Sequence, residues 1–490
     1  MSRLGRCRRA SILPSSARVY SRFFIDLLTE SVGKDAAGAA LEAFSAPPSV
    51  SVRLNPAKSS ALSLDGVRQE PVPWSPHGFF LSGRPSFTLD PLFHAGAYYV
   101  QDSSAMAVGA VFREFAARYR ECSVLKVLDL CAAPGGKTTD LAASLREICG
   151  DDFLVAANEV VRARALVLRE NVARWGDPNV VVTSADPSAF SSLEGFFDIV
   201  VADVPCSGEG MFRKEPDAVR DWSPETVKLC ASRQRRIIAD VWPALRPGGL
   251  MIYSTCTFNH FENGDNVRWI AEELGAEILS PASCAGVVKT AEGLSLVPGL
   301  VRGEGQFVAA LEKCPGAAER RCRPGGIYRG SMPPETALSL SSHAHRCRPG
   351  GIYRGSMPPE TASVLAFTAS FSLRGDTLIA VPAAIEKEVQ ELGSLHPMST
   401  GVAIGTLKGD TLVPSADLAL STGLRAGAFP RFNLSEEEAV RFLRRDSILT
   451  PGAPNGYVLV CFRDTPLGFV KNLGNRCNNL HPASRRILQR

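Results

Sequence analysis

The chain has 490 residues, enough for about three domains, and its hydrophobic content of 45% is ordinary for a globular protein. No apolar run approaches the roughly 18–20 residues that a membrane-spanning helix needs. Its thirteen cysteines contain no C-x-x-C pair, which argues against a zinc module and against a disulfide framework. We therefore expect a cytoplasmic protein that holds no metal.

The net charge of +4 is concentrated in an N-terminal arm. Residues 1–24 contain six arginines and no acidic residue, so the rest of the chain carries a net charge of −2. This composition predicts a basic disordered arm over residues 1–19. An RNA-contacting arm, a mitochondrial transit peptide and an over-extended start share the same composition. Any nucleic-acid surface on the body must consequently come from local patches.

A small α+β domain is predicted over residues 20–95. Apolar residues from Tyr20 to Leu28 follow helical spacing, and a second short helix ends near the prolines at 47–48. A short strand then presents Arg53 and Asn55. Residues 60–93 are rich in Pro, Gly and Ser, which is typical of short strands and turns.

Strands and helices alternate in the next segment, which we assign to residues 96–314. This alternation predicts a parallel, doubly wound sheet. A Gly-rich turn at 303–305 leads into a last strand over 306–311. The predicted parallel strands are residues 125–130, 153–158, 179–184, 197–203 and 249–254, and the helices between and after them are 137–148, 161–174, 224–244 and 262–274.

A duplicated segment separates this core from the C-terminal part. Residues 321–337 recur word for word as residues 346–362. Two identical copies fall short of the about three units that a solenoid needs, so we predict a poorly ordered linker over 315–365. Residues 366–490 are predicted to form a compact α/β or mostly β domain with strands at 401–407 and 456–462 and a helix at 435–443. Its basic tail, with Arg485 and Arg486, fits solvated charges and RNA contact equally well.

A glycine-rich loop with the sequence Cys-Ala-Ala-Pro-Gly-Gly-Lys follows the first parallel strand directly. Its spacing matches neither the dinucleotide-binding G-x-G-x-x-G motif nor a P-loop, so phosphate binding is not indicated. Glu159 ends the second strand, where an acid accepts from ribose hydroxyls. Asp186 ends the third, within reach of an adenine amino group. A nucleoside-shaped cleft without a phosphate site fits S-adenosylmethionine. The loop residues predicted to bind it are Cys131, Ala132, Ala133, Pro134, Gly135, Gly136 and Lys137.

Two cysteines stand at the carboxyl ends of neighbouring predicted strands. Cys206 follows the strand that ends at Asp203, and Cys256 follows the strand at 249–254. Ligands bind at the carboxyl ends of parallel strands, so two thiols there predict a catalytic pair. The chemistry alone leaves open which thiol attacks.

Several segments carry motifs of a known family. They are residues 128–138 (Leu-Asp-Leu-Cys-Ala-Ala-Pro-Gly-Gly-Lys-Thr), 203–210 (Asp-Val-Pro-Cys-Ser-Gly-Glu-Gly), 253–257 (Tyr-Ser-Thr-Cys-Thr) with 262–263, and 98–104. The chain resembles the Sun family of RNA cytosine-5 methyltransferases, and within it the bacterial branch that acts on 16S ribosomal RNA. Segments 405–410, 456–461 and 466–471 resemble that branch's C-terminal RNA-binding domain of the pseudouridine-synthase-associated (PUA) type. One departure is Val204, where the family usually has Ala.

The resemblance implies a fold and an activity. The expected fold is a Rossmann-like, doubly wound class I methyltransferase core with a small α+β N-terminal RNA-binding domain and a C-terminal PUA-like α/β domain. The expected activity is methyl transfer from S-adenosylmethionine to C5 of a cytosine in RNA. The family pattern implies that Cys256 attacks C6 of the cytosine and that Cys206 assists release of the methylated product.

Further expectations concern the remaining site residues and the partners. Asp203 is expected beside the cytosine or the cofactor. Arg213 and Lys214 are expected to contact RNA, because cations on an exposed loop position the phosphate backbone. Arg53, which the short strand presents, is also expected to contact RNA. The expected partner is 16S rRNA or the small ribosomal subunit, and the chain is expected to act as a monomer. The alternatives are a tRNA-directed enzyme of the same chemistry and a non-catalytic ribosome-assembly factor.

Overall fold

The structure is a computed structural model of the chain. It describes residues 20–62, 64–119, 123–315, 360–408 and 411–489. The basic arm predicted at 1–19 lies outside these residues, as does most of the linker predicted at 315–365. Within the described ranges, no helix is long and apolar enough to cross a membrane.

The N-terminal part consists of three helices and a four-stranded antiparallel sheet of order β2-β3-β1-β4. Ser21 caps the first helix by accepting a hydrogen bond from the Phe24 amide, and the helix buries Phe24 and Leu28. The last strand of the sheet lies beyond residue 95, the predicted domain boundary. The elements are α1 (Arg22–Val32), α2 (Lys34–Ala43), β1 (Val50–Leu54), β2 (Gln69–Pro71), β3 (Gly78–Leu81), α3 (Pro91–Ala95) and β4 (Tyr98–Val100).

The core is a nine-stranded sheet of order β11-β12-β13-β9-β8-β5-β6-β7, with β10 paired to β13. Strands β5 to β9 are parallel, which confirms the predicted doubly wound sheet. The three short strands β10 to β12 are antiparallel additions that the sequence did not predict. The strands are β5 (Leu125–Asp129), β6 (Phe153–Asn158), β7 (Val180–Thr183), β8 (Phe197–Asp203), β9 (Leu245–Thr255), β10 (Ala276–Leu279), β11 (Val287–Lys289), β12 (Leu294–Leu296) and β13 (Gln306–Lys313).

Helices cover both faces of this sheet. Along β6, Leu154 and Ala156 belong to one apolar cluster, whereas Phe153, Val155 and Ala157 belong to the other. Burial on both faces is why the strands read as continuous apolar runs in the sequence. The helices are α4 (Ala107–Ala116), α5 (Gly136–Cys149), α6 (Arg162–Trp175), α7 (Pro216–Asp221), α8 (Pro224–Val241) and α9 (Gly264–Leu274).

The C-terminal part contains two four-stranded sheets where the sequence suggested one domain. The predicted strands near 401 and 456 and the helix near 435 are present. Ser435 and Glu438 form a reciprocal capping box at the start of that helix. The elements are α10 (Glu360–Ser363), β14 (Ala369–Arg374), β15 (Thr377–Pro382), α11 (Glu386–Glu391), β16 (Val402–Lys408), β17 (Thr411–Pro414), α12 (Ala416–Leu420), β18 (Arg431–Asn433), α13 (Glu436–Leu443), β19 (Gly456–Phe462), β20 (Thr465–Asn472) and β21 (Cys477–Asn479).

These two sheets fold back onto the rest of the molecule. Phe442 of α13 and Val470 of β20 in the last sheet share one apolar cluster with Val52 and Tyr98 of the N-terminal sheet. The preceding sheet lies against the edge of the core, where Ser399 forms a β-bridge with Val182 of β7. The N-terminal and C-terminal parts therefore pack together beside the core sheet.

Candidate active site

The two predicted catalytic cysteines lie in contact. Strands β8 and β9 run parallel with Asp203 opposite Ser254, so the loops that follow them leave the sheet side by side. Cys206 Sγ lies 3.3 Å from Cys256 Sγ, and both side chains are half-buried. The fold thus brings together the two thiols that the sequence placed on separate strands.

The two thiols of this pair are not equivalent. The hydrogen bond to Cys256, and then burial, raise the pKa of the Cys206 thiol well above its ordinary value. A raised pKa favours the protonated thiol at Cys206, which can donate in the sulfur–sulfur contact, where either sulfur can be the donor. A donor directed at Cys256 Sγ stabilises negative charge on that sulfur.

Lys137 and Asp203 form an ion pair beside the thiols. Lys137 Nζ lies 2.8 Å from Asp203 Oδ2. Burial alone would lower the pKa of Lys137, but the charges of Asp203, Asp129 and Cys256 raise it overall, so the ammonium stays charged. The other Asp203 oxygen accepts hydrogen bonds from Ser254 Oγ at 2.7 Å and Gln306 Nε2 at 2.9 Å. The carboxylate is therefore fixed in orientation.

The predicted cofactor loop connects β5 to α5. Gly135 precedes the helix with φ of +113°, a conformation that strongly favours glycine. The Ala132 amide donates to Asn158 O at 2.7 Å, which ties the loop to β6. Asn171 Nδ2 donates to Pro134 O at 2.8 Å, which ties it to α6. The loop backbone is held at the carboxyl edge of the sheet.

Asp129 is a site residue that the sequence analysis missed. It ends β5 and is fully buried, and its Oδ2 accepts from Thr138 Oγ1 at 2.6 Å. Its Oδ1 has no hydrogen-bond partner among the described residues, and burial raises the pKa of the carboxyl to about 7. An unpaired buried acceptor beside the glycine loop fits a ligand that brings a donor there. The signal in the sequence was an acid directly before the loop.

Glu159 and Asp186 follow the next two strands. Glu159 is buried, accepts from the Val161 amide at 2.9 Å and pairs with Arg164 at 3.1 Å. Asp186 is exposed and accepts from the Ser188 amide and hydroxyl, and these bonds lower its pKa. Both lie at the same edge of the sheet as the glycine loop. Their contacts with ribose and adenine remain predictions.

A network of buried polar side chains holds the two cysteine loops together, and the sequence analysis did not assign it this role. Glu209 Oε2 accepts from the amides of Phe258 and Asn259, at 2.7 and 3.1 Å. Glu262 Oε2 accepts from the Ser207 amide at 3.0 Å and from Gln234 Nε2 at 2.7 Å. Each glutamate therefore bridges the loop after β8 to the loop after β9.

Arg53, which was predicted to contact RNA, lies inside the molecule. Its guanidinium reaches from β1 to the start of α5, where it donates to Gly136 O at 3.0 Å and Thr139 Oγ1 at 2.5 Å. A third bond reaches Gln101 Oε1 at 2.9 Å, and the residue is 0% exposed. The RNA-contact prediction for Arg53 is therefore wrong, because the side chain braces the cofactor loop from behind.

Arg213 is also committed to internal contacts. Its Nε and Nη2 lie 2.6 and 2.8 Å from the two Glu304 oxygens, and Nη2 also donates to Gly303 O at 2.9 Å. With its fork occupied and its side chain 9% exposed, phosphate contact at Arg213 is contradicted. Lys214 is one-third exposed and pairs with Asp102 at 3.1 Å, so its RNA contact stays a prediction.

Several known proteins resemble this chain in sequence and in fold. A family model described as 16S rRNA methyltransferase RsmB/F matches residues 121–312. Models of the N-terminal domain of 16S rRNA methyltransferase RsmF and of the methyltransferase RsmF PUA domain match residues 22–103 and 429–487. Ribosomal RNA small subunit methyltransferase F of Cronobacter sakazakii is 32% identical over 495 residues, which cover 94% of this chain and 95% of the relative.

The chain belongs to the RsmF family of 16S rRNA methyltransferases. The Klebsiella pneumoniae member is 33% identical over 88% of this chain and 89% of its own length. A solved methyltransferase homologue from Pyrococcus horikoshii is 27% identical with a TM-score of 0.50, and the match covers 60% of this chain and 95% of that structure. The NSun6 structure from the same organism, at 19% identity and a TM-score of 0.50, shares the fold over 61% of this chain and all of that one.

Membership in the RsmF family confirms the predicted resemblance, the fold class and an RNA methyltransferase. The matched PUA-type segment is also shorter than the predicted one. Its match begins at residue 429 and coincides with the last sheet, whereas the prediction began at 366. Strands β14 to β17 precede it as a separate sheet.

Proposed function

We propose that this chain transfers a methyl group from S-adenosylmethionine to C5 of a cytosine in 16S rRNA. The contact between Cys206 and Cys256, beside the charged Lys137, carries the proposal. Two thiols at one sheet edge can supply a nucleophile for C6 and a base for the C5 proton of the same cytosine.

Cys256 is proposed as the attacking thiolate. Cytosine C5 is too weakly nucleophilic to react unaided, so a sulfur must first add to C6 and make C5 enamine-like. The Cys206 thiol and the Lys137 ammonium both stabilise negative charge on Cys256 Sγ. When bound, S-adenosylmethionine supplies a methyl group on a positively charged sulfur.

Cys206 is proposed to complete the turnover. After methylation, the C5 proton must leave so that the bond between Cys256 Sγ and C6 can break. Cys206 accepts it as a thiolate, so the Cys206 thiol first passes its own proton to solvent once Cys256 has bonded to C6. The C5 proton then moves to Cys206 Sγ, the C5–C6 double bond forms again and Cys256 leaves as a thiolate. The raised pKa of Cys206 makes its thiolate a strong base for this step. Asp203 is held by three neighbours in the same cleft and is proposed to bond to the edge of the cytosine ring.

The cofactor is proposed to lie along the loop between β5 and α5. The unpaired Oδ1 of Asp129 supports a donor from the cofactor at that point. Glu159 retains lone pairs for the ribose hydroxyls, since each of its oxygens has one short contact. Asp186 and backbone groups of the loop complete the proposed site. One copy of the chain supplies all these residues, so we propose that it acts as a monomer. We also propose that it acts in the cytoplasm.

Two rival functions remain to be tested against this one. A tRNA-directed enzyme would use the same chemistry, and a ribosome-assembly factor would bind RNA without it. The names of the relatives refer to ribosomal RNA of the small subunit, which supports the first proposal. The paired cysteines support catalysis over binding alone.

Methyl transfer to three RNAs from labelled S-adenosylmethionine separates these functions. Naked 16S rRNA, small ribosomal subunits and bulk tRNA are incubated in parallel, and 5-methylcytosine is quantified by mass spectrometry. We expect label in the 16S rRNA, free or assembled. Label confined to tRNA would support the tRNA-directed rival, and its absence from all three RNAs would support the assembly factor.

Variants of the two cysteines test their roles in the same assay. Cys256→Ala should abolish methylation and any covalent protein–RNA adduct, because the attacking sulfur is gone. Cys206→Ala should accumulate an adduct that survives denaturing electrophoresis, because release is blocked. Exchanged phenotypes would overturn the assignment. Cys230→Ala, a buried thiol on α8, is the matched control and should keep near-normal activity.

A further inference from the structure

A cavity lies between the N-terminal sheet and α6, apart from the cleft that holds the two thiols. Its volume is about 290 Å³, near the lower end of the roughly 300–1,000 Å³ that ligand pockets occupy. Such a volume fits a single nucleotide better than a folded partner. Its walls include Phe93, Tyr99 and Asn171, with Arg84 and Arg174 among the lining residues.

Aromatic rings form much of the wall. The centroids of Phe87, Phe93 and Tyr98 lie 6.0–6.4 Å from one another. Phe93 and Tyr99 are half-buried, so part of each ring stays available to a flat ligand. Stacking on aromatic faces is how proteins hold unstacked bases of single-stranded nucleic acids.

Two arginines accompany these rings. The guanidinium carbon of Arg174 lies 4.8 Å from the Phe93 centroid, and that of Arg84 lies 5.5 Å from the Phe87 centroid. Neither forms an ion pair with a carboxylate of the described chain, whereas nearby Arg485 pairs with two. The described lining of the cavity contains no acidic residue. The two guanidiniums are therefore available to an anion.

Arg174 is the more telling of the two. Burial, and then the charge of Arg485, lower its pKa, the charge of Glu170 opposes this lowering, and its side chain donates to Asn171 Oδ1 at 3.3 Å. A half-buried guanidinium with no carboxylate within ion-pairing distance is costly to maintain. A phosphate would offset that cost and occupy the donors of its fork.

The cavity is connected to the proposed cofactor site. Asn171 Nδ2 donates to Pro134 O of the glycine loop at 2.8 Å and lies 3.4 Å from the Tyr99 hydroxyl. Burial raises the pKa of Tyr99 to about 12, so this hydroxyl keeps its proton as a donor. A ligand in the cavity would therefore lie beside the loop that is proposed to hold the cofactor.

We propose that this cavity binds one unstacked base of the RNA substrate, with an adjoining phosphate on Arg84 and Arg174. The inference rests on the proposed function and adds a second base-binding position to it. The target cytosine must leave its stack to reach the thiols, which frees neighbouring nucleotides to enter a pocket of their own.

Fluorescence anisotropy with a short labelled single-stranded RNA tests the site. Arg84→Gln and Arg174→Gln should each lower the salt dependence of log K by up to about 0.7, because the two arginines share one phosphate. Phe93→Leu should weaken binding about 10-fold with the salt dependence unchanged, because it removes stacking alone. Arg118→Gln is the matched control, since Arg118 is exposed and lies 4.7 Å from the Phe115 ring away from the cavity.

A perfectly paired duplex RNA provides the second arm. None of the cavity variants should change its affinity relative to the wild type, because paired bases cannot enter. Wild-type affinity of all three variants for the single strand, with thermal melting showing a native fold, would overturn the inference. So would equal losses on the duplex.

Methylation by the wild type and by the cavity variants is measured in parallel with these binding titrations. Normal methylation with unchanged single-strand binding in the variants overturns the cavity site and leaves the proposed function standing. Weakened single-strand binding in the variants, with no methylation of any RNA by the wild type, overturns the proposed function and leaves the cavity site standing.

Discussion

At the scale of single residues, the electrostatics of the cleft depend on a few buried groups. Asp203 is neutralised by Lys137, whereas Asp129 has no cationic partner within ion-pairing distance among the described residues. Burial raises the pKa of Asp129 to about 7.

The raised pKa of Asp129 predicts a pH-dependent stability. The unfolded chain titrates near 3.8, so protonated Asp129 stabilises the native state fully below about pH 4. That contribution is lost as the pH rises through about 7. Asp129→Asn should therefore gain stability relative to the wild type between pH 5 and pH 8, on the order of 3 kcal/mol.

Urea unfolding of the cofactor-free protein at the two pH values measures this difference. Asp186→Asn is the control, because Asp186 is exposed and its pKa is lowered. A stability gap between Asp129→Asn and the wild type that stays constant with pH would contradict the argument.

At the scale of elements, the contact between Cys206 and Cys256 depends on how the loops after β8 and β9 are joined. Glu209 accepts from two backbone amides with one oxygen and from Asn259 Nδ2 and Trp222 Nε1 with the other. Gly210 lies in the same crossing, where a Cβ would come within 2.9 Å of Cys256 O. A side chain at residue 210 would therefore press against the Cys256 carbonyl.

Glu209→Gln should separate the two loops. The amide nitrogen of glutamine would face donors that now share a carboxylate oxygen, and leaving two buried donors unpaired costs about 3 kcal/mol. We expect that loss in urea unfolding and a fall in kcat as the thiols lose their alignment. Glu215→Gln, an exposed residue of the same loop, should change neither quantity. Equal behaviour of the two variants would refute a bridging role for Glu209.

At the scale of the whole molecule, the C-terminal sheets fold back onto the core. Arg485 donates to Glu170 of α6 and to Asp417 of α12, at 2.7 Å each. Its side chain is 15% exposed, so it joins these parts and is not a solvated charge. The neighbouring Arg486 is exposed.

Arg485→Gln should loosen this attachment. Hydrogen bonds to charged groups contribute about 1.5–3 kcal/mol each, so the loss of both should lower the free energy of unfolding by at least about 3 kcal/mol. Hydrogen exchange should quicken in α12 and at the end of α6. Arg486→Gln keeps the attachment and should behave as the wild type. Unchanged exchange in Arg485→Gln would show that apolar packing alone holds the two parts together.

Local patterns in the sequence were sufficient for the parallel core and for its two thiols. Over residues 125–274, apolar runs typical of strands alternate with segments of helical spacing. Each pattern is visible within a few residues, so the sequence alone indicates where each strand ends. Parallel strands share one carboxyl edge, so Cys206 and Cys256 were expected there before the structure was known. The glycine loop was recognisable for the same reason.

The tertiary structure alone decided which side chains face RNA and which face another part of the chain. Arg53 looked like an exposed cation, but its partner Thr139 lies 86 residues away on α5. The unpaired oxygen of Asp129, the clamp on Arg213 and the cavity beside α6 likewise depend on contacts between distant segments. Strand periodicity specifies alternate faces but not what covers each face, because that depends on how separate elements pack.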